Sequence, residues 1–288
     1  MRVFVTGATG TVGREVCRTL LDRGAGVRIG VRNPNRVLPV LSEASDVRAL
    51  DFEEPTISEA LFDGIDSLFL MTPFIEDQVA ASRRVLQAAL DAGVRHVVRL
   101  SSRSADWDRR SVLRAWHREI DQAVRDSGAT WTILRPCSFF QNFMRYQAET
   151  IRNMSAVIIP QGDGLIAYVD ALDLGEAAAQ CLLRPEDHGG QTYVLTGARA
   201  YGAKGIAAEI GRVIGRPVTY IDIDEEQAQS MMLQQGMPAW LVEAGLAVFA
   251  HAKAGGEAAV DPALARIIGR PASSLSEFVQ RNREAWLH

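Results

Sequence analysis

A chain of 288 residues with 47% hydrophobic content buries a full core in one large or two small domains, which excludes a disordered protein. A formal net charge of −4 supplies no basic field for direct nucleic-acid binding, and Cys17, Cys137 and Cys181, far apart and without CxxC or Cys/His spacing, suggest neither a disulfide framework nor a zinc site. No apolar run approaches a membrane span and no basic-plus-apolar leader precedes the first strand, so a cytoplasmic protein without membrane contact or metal is expected.

Val3 to Val5 predict a buried strand and Arg14 to Leu21 a helix, with Val12, Val16 and Leu20 at four-residue spacing. The turn between them, Gly7, Thr9, Gly10, Thr11, Val12 and Gly13, is where a dinucleotide would sit. Gly7 permits a sharp turn, Gly10 lets backbone approach a pyrophosphate, and Gly13 lets the helix pack close to the strand with its N-terminal N–H groups toward the anion. The spacing is GxxGxxG, one residue wider than the simplest dinucleotide fingerprint. A second strand, Val27 to Val31, ends at Arg32-Asn33-Pro34. No acid stands between Asp22 and Glu43 to accept from ribose hydroxyls, whereas Arg32 and Arg36 stand ready for a 2′-phosphate, so NADP(H) is preferred over NAD(H).

Val47 to Leu50 predicts a third strand, with Asp51 and Phe52 at the adenine edge. The nearly all-apolar Ser67 to Met71 is a fourth, as expected when helices cover both faces of a sheet. Met71 and Thr72 at its exit lie over the cofactor ribose, with Phe74 on the substrate side. A helix from about Asp77 to Ala92 stops at Gly93. A fifth strand, Val94 to Leu100, then ends at Ser101 and Ser102, the first beside the nicotinamide and the second able to hold a carbonyl or a water. Helix Ser111 to Ser127 precedes strand Thr130 to Leu134, after which Pro136 ends pairing and sends the chain through Ser138, Phe139, Asn142 and Phe143 over the cofactor and substrate. Phe139 and Phe143 either floor a substrate site or fill core. Val157 to Pro160 and Ile166 to Val169 read as strands around a Gly162-Asp163-Gly164 turn, and Thr192 to Thr196 as a strand returning to the sheet. From Tyr201 onward several helices, with Trp240 among them, form a smaller lobe. Strands and helices alternating in this way give an α/β fold with a doubly wound parallel sheet, Rossmann-like, its ligand beyond the C-terminal strand ends. The dinucleotide-binding core is expected over residues 1–153 with 166–200 returning to it, and a mostly helical substrate lobe over 154–165 and 201–288.

In this order, Thr6-Gly7-Ala8-Thr9-Gly10-Thr11-Val12-Gly13, Val31-Arg32-Asn33-Pro34, Thr132-Ile133-Leu134-Arg135-Pro136 with Asn142, and Leu195-Thr196-Gly197 resemble the NmrA-like group of atypical short-chain dehydrogenases. The resemblance runs almost end to end. It implies quinone, triphenylmethane or iminium reduction, or an NADP-sensing regulator. Carbonyl-reducing members of the superfamily protonate an alkoxide with a helix Tyr assisted by a Lys four residues on. This chain has no Tyr before Tyr146 and no Lys before Lys204. Counted back from Pro136, the resemblance sets Leu113 at the Tyr position and His117 at the Lys position. His117 lies one helical turn from Asp121, so a carboxylate could orient or charge the imidazole, leaving either a general acid or a packing residue.

A positioned proton donor contributes about 10²- to 10⁴-fold in rate. Without the Tyr–Lys pair, the expected function is an NADPH-dependent reductase of a small, apolar, electron-poor acceptor such as a quinone, an iminium ion or a conjugated double bond, with His117 and Ser102 as catalytic candidates. The alternative is a non-catalytic NADP(H)-binding redox sensor acting through a protein partner. Sugar-nucleotide chemistry is disfavoured because it also needs the Tyr. The partners expected are a small-molecule substrate and, as an open option, a second copy of the chain in a homodimer.

Overall fold

The apolar run Val3-Phe4-Val5 is fully buried in strand β1 (Arg2–Thr6), and each later apolar strand is laid beside it. The computed structural model describes residues 1–37, 41, 46–107 and 111–287. Strands β2 (Gly26–Val31), β3 (Asp46–Ala49), β4 (Ser67–Leu70), β5 (His96–Leu100), β6 (Thr130–Pro136) and β8 (Gln191–Leu195) complete a seven-stranded sheet of order β3-β2-β1-β4-β5-β6-β8. The pairings of β1 with β2 and β4, of β2 with β3, and of β5 with β4 and β6 are parallel. The order reverses between β1 and β4, the point at which a doubly wound sheet opens a crevice beyond its strand ends.

The chain divides into two compact units. The first comprises Met1–Ala105, Arg114–Pro136 and Ala171–Val194. One face of its sheet packs Phe4, Leu68, Leu70 and Val97, together with Phe62 of the 3-10 turn Glu59–Phe62, against helix Gln78–Asp91 and the buried Ile120 and Val124 of helix Val112–Arg125. Helices α1 (Thr11–Asp22) and Ala171–Leu183 cross closely, since a Cβ on Gly175 would come within 2.4 Å of the Glu15 side chain. Cys17 and Cys181 belong to these two helices, and burial pushes both thiols up to about 12, far from a reactive thiolate.

The second unit comprises Asp106–Leu113, Cys137–Asp170 and Leu195–His288. Its core joins Phe140, Phe143, Ile151 and Tyr168 to Ile206, Ile210, Phe278 and Trp286. The change of unit therefore comes at Pro136/Cys137, earlier than the boundary at 153 expected from the sequence, because the aromatic residues just after Pro136 bury among the C-terminal helices. The returning segment is likewise shorter than 166–200. The expected hairpin around Gly162-Asp163-Gly164 does not form. Strand β7 (Ala156–Ile159) pairs in parallel with β9 (Thr219–Asp222), a partner some sixty residues away, and Ile166 makes only a single bridge, to Tyr201. No helix among the described residues is long and apolar enough to cross a membrane.

Candidate functional site

The glycine loop after β1 is built by contact rather than by composition. Gly7 has φ +64, a left-handed conformation that side chains rarely adopt, and its carbonyl accepts from Gly10 N at 2.9 Å. A Cβ on Gly13 would come within 2.1 Å of the Gly7 carbonyl oxygen, so the first turn of α1 rests on the loop backbone as the sequence predicts. Gly10 is the N-cap, no side chain caps α1, and its first turn carries no acid, which leaves the helix end suited to a pyrophosphate. Thr9 is exposed, Thr11 is partly buried and Val12 is buried. The loop is completed from β4: Thr6 Oγ1 donates to the carbonyls of Phe69 and Met71 and accepts from Met71 N at 2.7 Å. The Met71 methyl lies directly over Gly7, where a Cβ would meet it at 2.2 Å. Thr72 Oγ1 hydrogen-bonds Ser82 Oγ at 2.6 Å, and Phe74 is exposed. The backbone therefore fits a dinucleotide.

Arg32, at the end of β2, is 72% exposed and has Glu53 at 3.9 Å, an acid the sequence reading did not bring to it. Arg36 ends a 3-10 turn, Pro34–Arg36, and its side chain lies outside the described residues. Asp51 Oδ1 accepts from Glu53 N, the Phe52 ring is buried in the core, and the Phe52 carbonyl accepts from Arg84 Nη2 at 2.9 Å.

At the C-terminal ends of β5 and β6 lies a charged cluster that sequence reasoning missed. Arg99 is 1% exposed, Asp121 is 0% exposed and Arg135 is also buried. Asp121 Oδ2 accepts from Arg135 Nη2 at 2.9 Å, from Arg135 Nε at 3.0 Å and from Ser101 Oγ at 3.0 Å; Arg99 Nε stands 3.8 Å from Oδ1. One carboxylate thus answers two guanidiniums. A charge inside the apolar strand His96-Val97-Val98-Arg99-Leu100 was the available signal, because a buried cation requires a partner.

This geometry corrects the expectation for His117. Asp121 is taken by Arg135 and Ser101, and Nδ1 of His117 accepts instead from Arg99 Nη2 at 3.2 Å. Burial first, then the charges of Arg99 and Arg135, push the imidazole down to about 3, so it stands neutral, with its proton on Nε2. It can donate a hydrogen bond but is no imidazolium acid at neutral pH. Burial lowers Arg99 to about 10, opposed by Asp121. Ser102 Oγ accepts from Ser104 N at 3.2 Å and bonds Ser104 Oγ, the contacts of a turn former.

Burial, followed by the charge of His188, lowers His96 to about 4. Below the free imidazole value, near 6.5, the unfolded chain binds protons that His96 and His117 refuse, so stability falls as pH drops from there toward about 4. Urea unfolding is expected to lose up to about 1.4 kcal/mol per pH unit for each of the two histidines. A profile flat across that window contradicts the assignment.

Within the second unit, Val169 N donates to Ser138 O, Phe139 bridges Val169, and Asn142 N donates to Phe139 O. Phe143 is buried, edge-on to Tyr168 at 5.2 Å between ring centroids, which makes it core and corrects its assignment to substrate. Ser138, Phe139, Asn142 and Trp240 are partly buried. Cys137 donates through Sγ to Glu257 Oε2 at 3.0 Å. Among the described residues no group of three or more His, Cys, Asp or Glu is placed to hold a metal ion.

Residues 1–279 match the model of the NmrA-like family. The chain is 33% identical over 284 residues to an NAD(P)H azoreductase of Xenophilus azovorans, covering 99% of both chains. It is 34% identical over 285 residues to a (4-alkanoyl-5-oxo-2,5-dihydrofuran-3-yl)methyl phosphate reductase of Streptomyces griseus, again covering 99% of both. Its fold resembles that of an NADPH-dependent quinone oxidoreductase of Escherichia coli, solved with NADPH, at TM-score 0.84 and 27% identity over 98% of this chain and 99% of the other.

Proposed function

The chain belongs to the NmrA-like family, and on that premise we propose that it is an NADPH-dependent reductase of a small, apolar, electron-poor acceptor such as a quinone, an iminium ion or a conjugated double bond. The observation that carries this reading is the contact of Gly13 with the Gly7 carbonyl beneath an uncapped helix end, which leaves backbone N–H groups to hold a pyrophosphate. End-to-end similarity to an azoreductase and to a reductase of an oxo-dihydrofuran phosphate supports the reaction class.

In this reading Gly7, Thr9, Gly10, Thr11, Val12 and Gly13 bind the pyrophosphate. Arg32 and Arg36 take the 2′-phosphate, and Asp51 with the Phe52 backbone borders the adenine. Met71, Thr72, Ser101 and Pro136 line the rest of the cofactor. When bound, reduced nicotinamide supplies a hydride. The chain's own residues fix direction and polarity: neutral His117 donates from Nε2 to a ribose hydroxyl or an acceptor oxygen, held by the Arg99 guanidinium on its Nδ1. Phe74 is the residue of the first unit offered to the acceptor. An acceptor whose reduced form is weakly basic suits a site without the Tyr–Lys pair.

Arg32→Asp tests the cofactor assignment. It should weaken NADPH binding about tenfold or more, the worth of one charge-assisted contact, and leave NADH nearly unchanged in calorimetric titration. Equal losses for the two cofactors would refute the 2′-phosphate role.

A further inference from the structure

Arg99 is buried, yet its hydrogen bonds go to neutral acceptors: Nη1 donates to the Leu100 carbonyl and Nη2 to His117 Nδ1. Asp121 answers it only at a distance. Oδ2 of that carboxylate is engaged by Arg135 and Ser101, Oδ1 stands 3.8 Å from Arg99 Nε, and among the described residues neither of these last two buried atoms makes a hydrogen bond. Of this cluster Arg99, Ser101, Asp121 and Arg135 are buried and His117 is partly exposed, so the imidazole is the member through which the cluster meets a ligand. The charges facing it are positive, Arg99 from β5 and Arg135 from β6; burial, then these two, hold it down to about 3, while Arg99, lowered to about 10, stays a cation at neutral pH. The cluster and the glycine loop belong to one unit. Arg99 is in register with Leu70 of β4, and Met71, the next residue, sets its methyl over Gly7. Neighbouring strands lie about 4.8 Å apart, which sets β5 about 10 Å from β1, a span for a dinucleotide lying across the strand ends.

We infer that Arg99, acting through His117, selects neutral acceptors that become anions on taking the hydride, such as quinones and azo compounds, over cations such as iminium ions. The inference rests on the reductase reading above and narrows its acceptor. The hydride, one proton with two electrons, leaves the reduced nicotinamide, which is oxidised, and forms one new bond on the acceptor. A neutral acceptor then carries a negative charge on oxygen or nitrogen, whereas an iminium ion ends neutral. His117 keeps its proton: Nε2–H donates a hydrogen bond to the developing anion, and the proton that completes the product comes from water. Arg99 is a positioning residue, fixing the imidazole as the Nε2–H tautomer and adding its charge behind it. Across the imidazole an acceptor atom lies about 8 Å from the guanidinium, where a unit charge at an effective dielectric of about 20 is worth about 30-fold.

The test compares Arg99→Met with the unaltered protein, using NADPH and two acceptors of similar size, a benzoquinone and an N-methyl iminium ion. Methionine keeps an unbranched side chain in the strand and leaves Asp121 to Arg135 and Ser101. The quinone should lose about 30-fold in kcat/KM while the iminium ion loses nothing or gains, a split that a loosened fold would not give. His117→Gln, which can accept from Arg99 and donate to the acceptor, should keep the preference for the quinone, and His117→Leu should lose it; this pair carries the test if Arg99→Met does not fold. Equal losses for the two acceptors overturn the inference. A second readout needs no cofactor. In the nitrogen-15 spectrum of the histidine-labelled chain, the signals missing from His117→Gln should show the Nε2–H tautomer at neutral pH and remain those of a neutral ring at about pH 5, below the free imidazole value, whereas in Arg99→Met the protonated form should grow in there. A proton on Nδ1, or a titration unmoved in Arg99→Met, overturns the inference. If the unaltered protein turns over no acceptor, the reductase reading falls, and this spectrum alone decides whether the Arg99 charge reaches His117.

Discussion

Asp121→Ala is expected to destabilise the fold by about 3–5 kcal/mol, the range for removing one partner of a buried ion pair. Asp121 is the carboxylate that answers both Arg99 and Arg135, and all three are buried at the ends of β5 and β6. Removing it leaves two guanidiniums in low dielectric, which costs far more than the loss of one hydrogen bond. Ser101→Ala removes one donor to the same oxygen and should cost only about 1 kcal/mol. Urea unfolding of the two variants side by side checks the ratio. A loss of about 1 kcal/mol or less for Asp121→Ala, as for a solvent-screened pair, contradicts the description of the cluster.

Gly13→Ala carries the second large effect. The added methyl meets the Gly7 carbonyl oxygen at 2.1 Å, the Gly7 carbonyl carbon at 2.6 Å and Ala8 Cα at 3.0 Å, all backbone, so no flexible side chain can yield. Overpacking of this kind costs about 1–3 kcal/mol. The larger consequence is functional, since α1 must back away from the loop, and a displacement of about 1 Å is worth about 10²-fold in a positioned site. NADPH affinity should fall by that order. Gly205→Ala is the control: that glycine is exposed in helix Ala203–Ile214, a Cβ there meets nothing within 4 Å, and the change should stabilise by about 0.5–1 kcal/mol. If the two variants behave alike, the close contact at Gly13 has been misjudged.

What could be read from the chain follows the range over which its signals act. The cradle was legible because a strand, three spaced glycines and an amphipathic helix are local, and the doubly wound parallel sheet was legible from strands and helices that alternate along the chain. The β7–β9 pairing was not, since a parallel partner sixty residues away leaves no mark at the Gly162-Asp163-Gly164 turn that suggested a hairpin. His117 and Asp121 were correctly set on one helical face, but helical spacing is silent about the sheet beneath. Arg135 and Arg99 compete there for the same groups, and two buried guanidiniums leave the imidazole an acceptor. Phe143 shows the same limit: an aromatic after a strand-ending proline reads equally as substrate wall or core until Tyr168 is seen beside it. Glu257, 120 residues from Cys137, had no local signal at all.

The central claim, hydride transfer from NADPH to an electron-poor acceptor, is tested most directly by following the reduced-nicotinamide absorbance of the purified full chain mixed with NADPH and a panel of quinones, azo compounds and iminium ions. A steady decline that requires both protein and acceptor, and is faster with NADPH than with NADH, is the predicted result. Tight NADPH binding with no decline for any acceptor would contradict it and leave a cofactor-binding sensor as the better description.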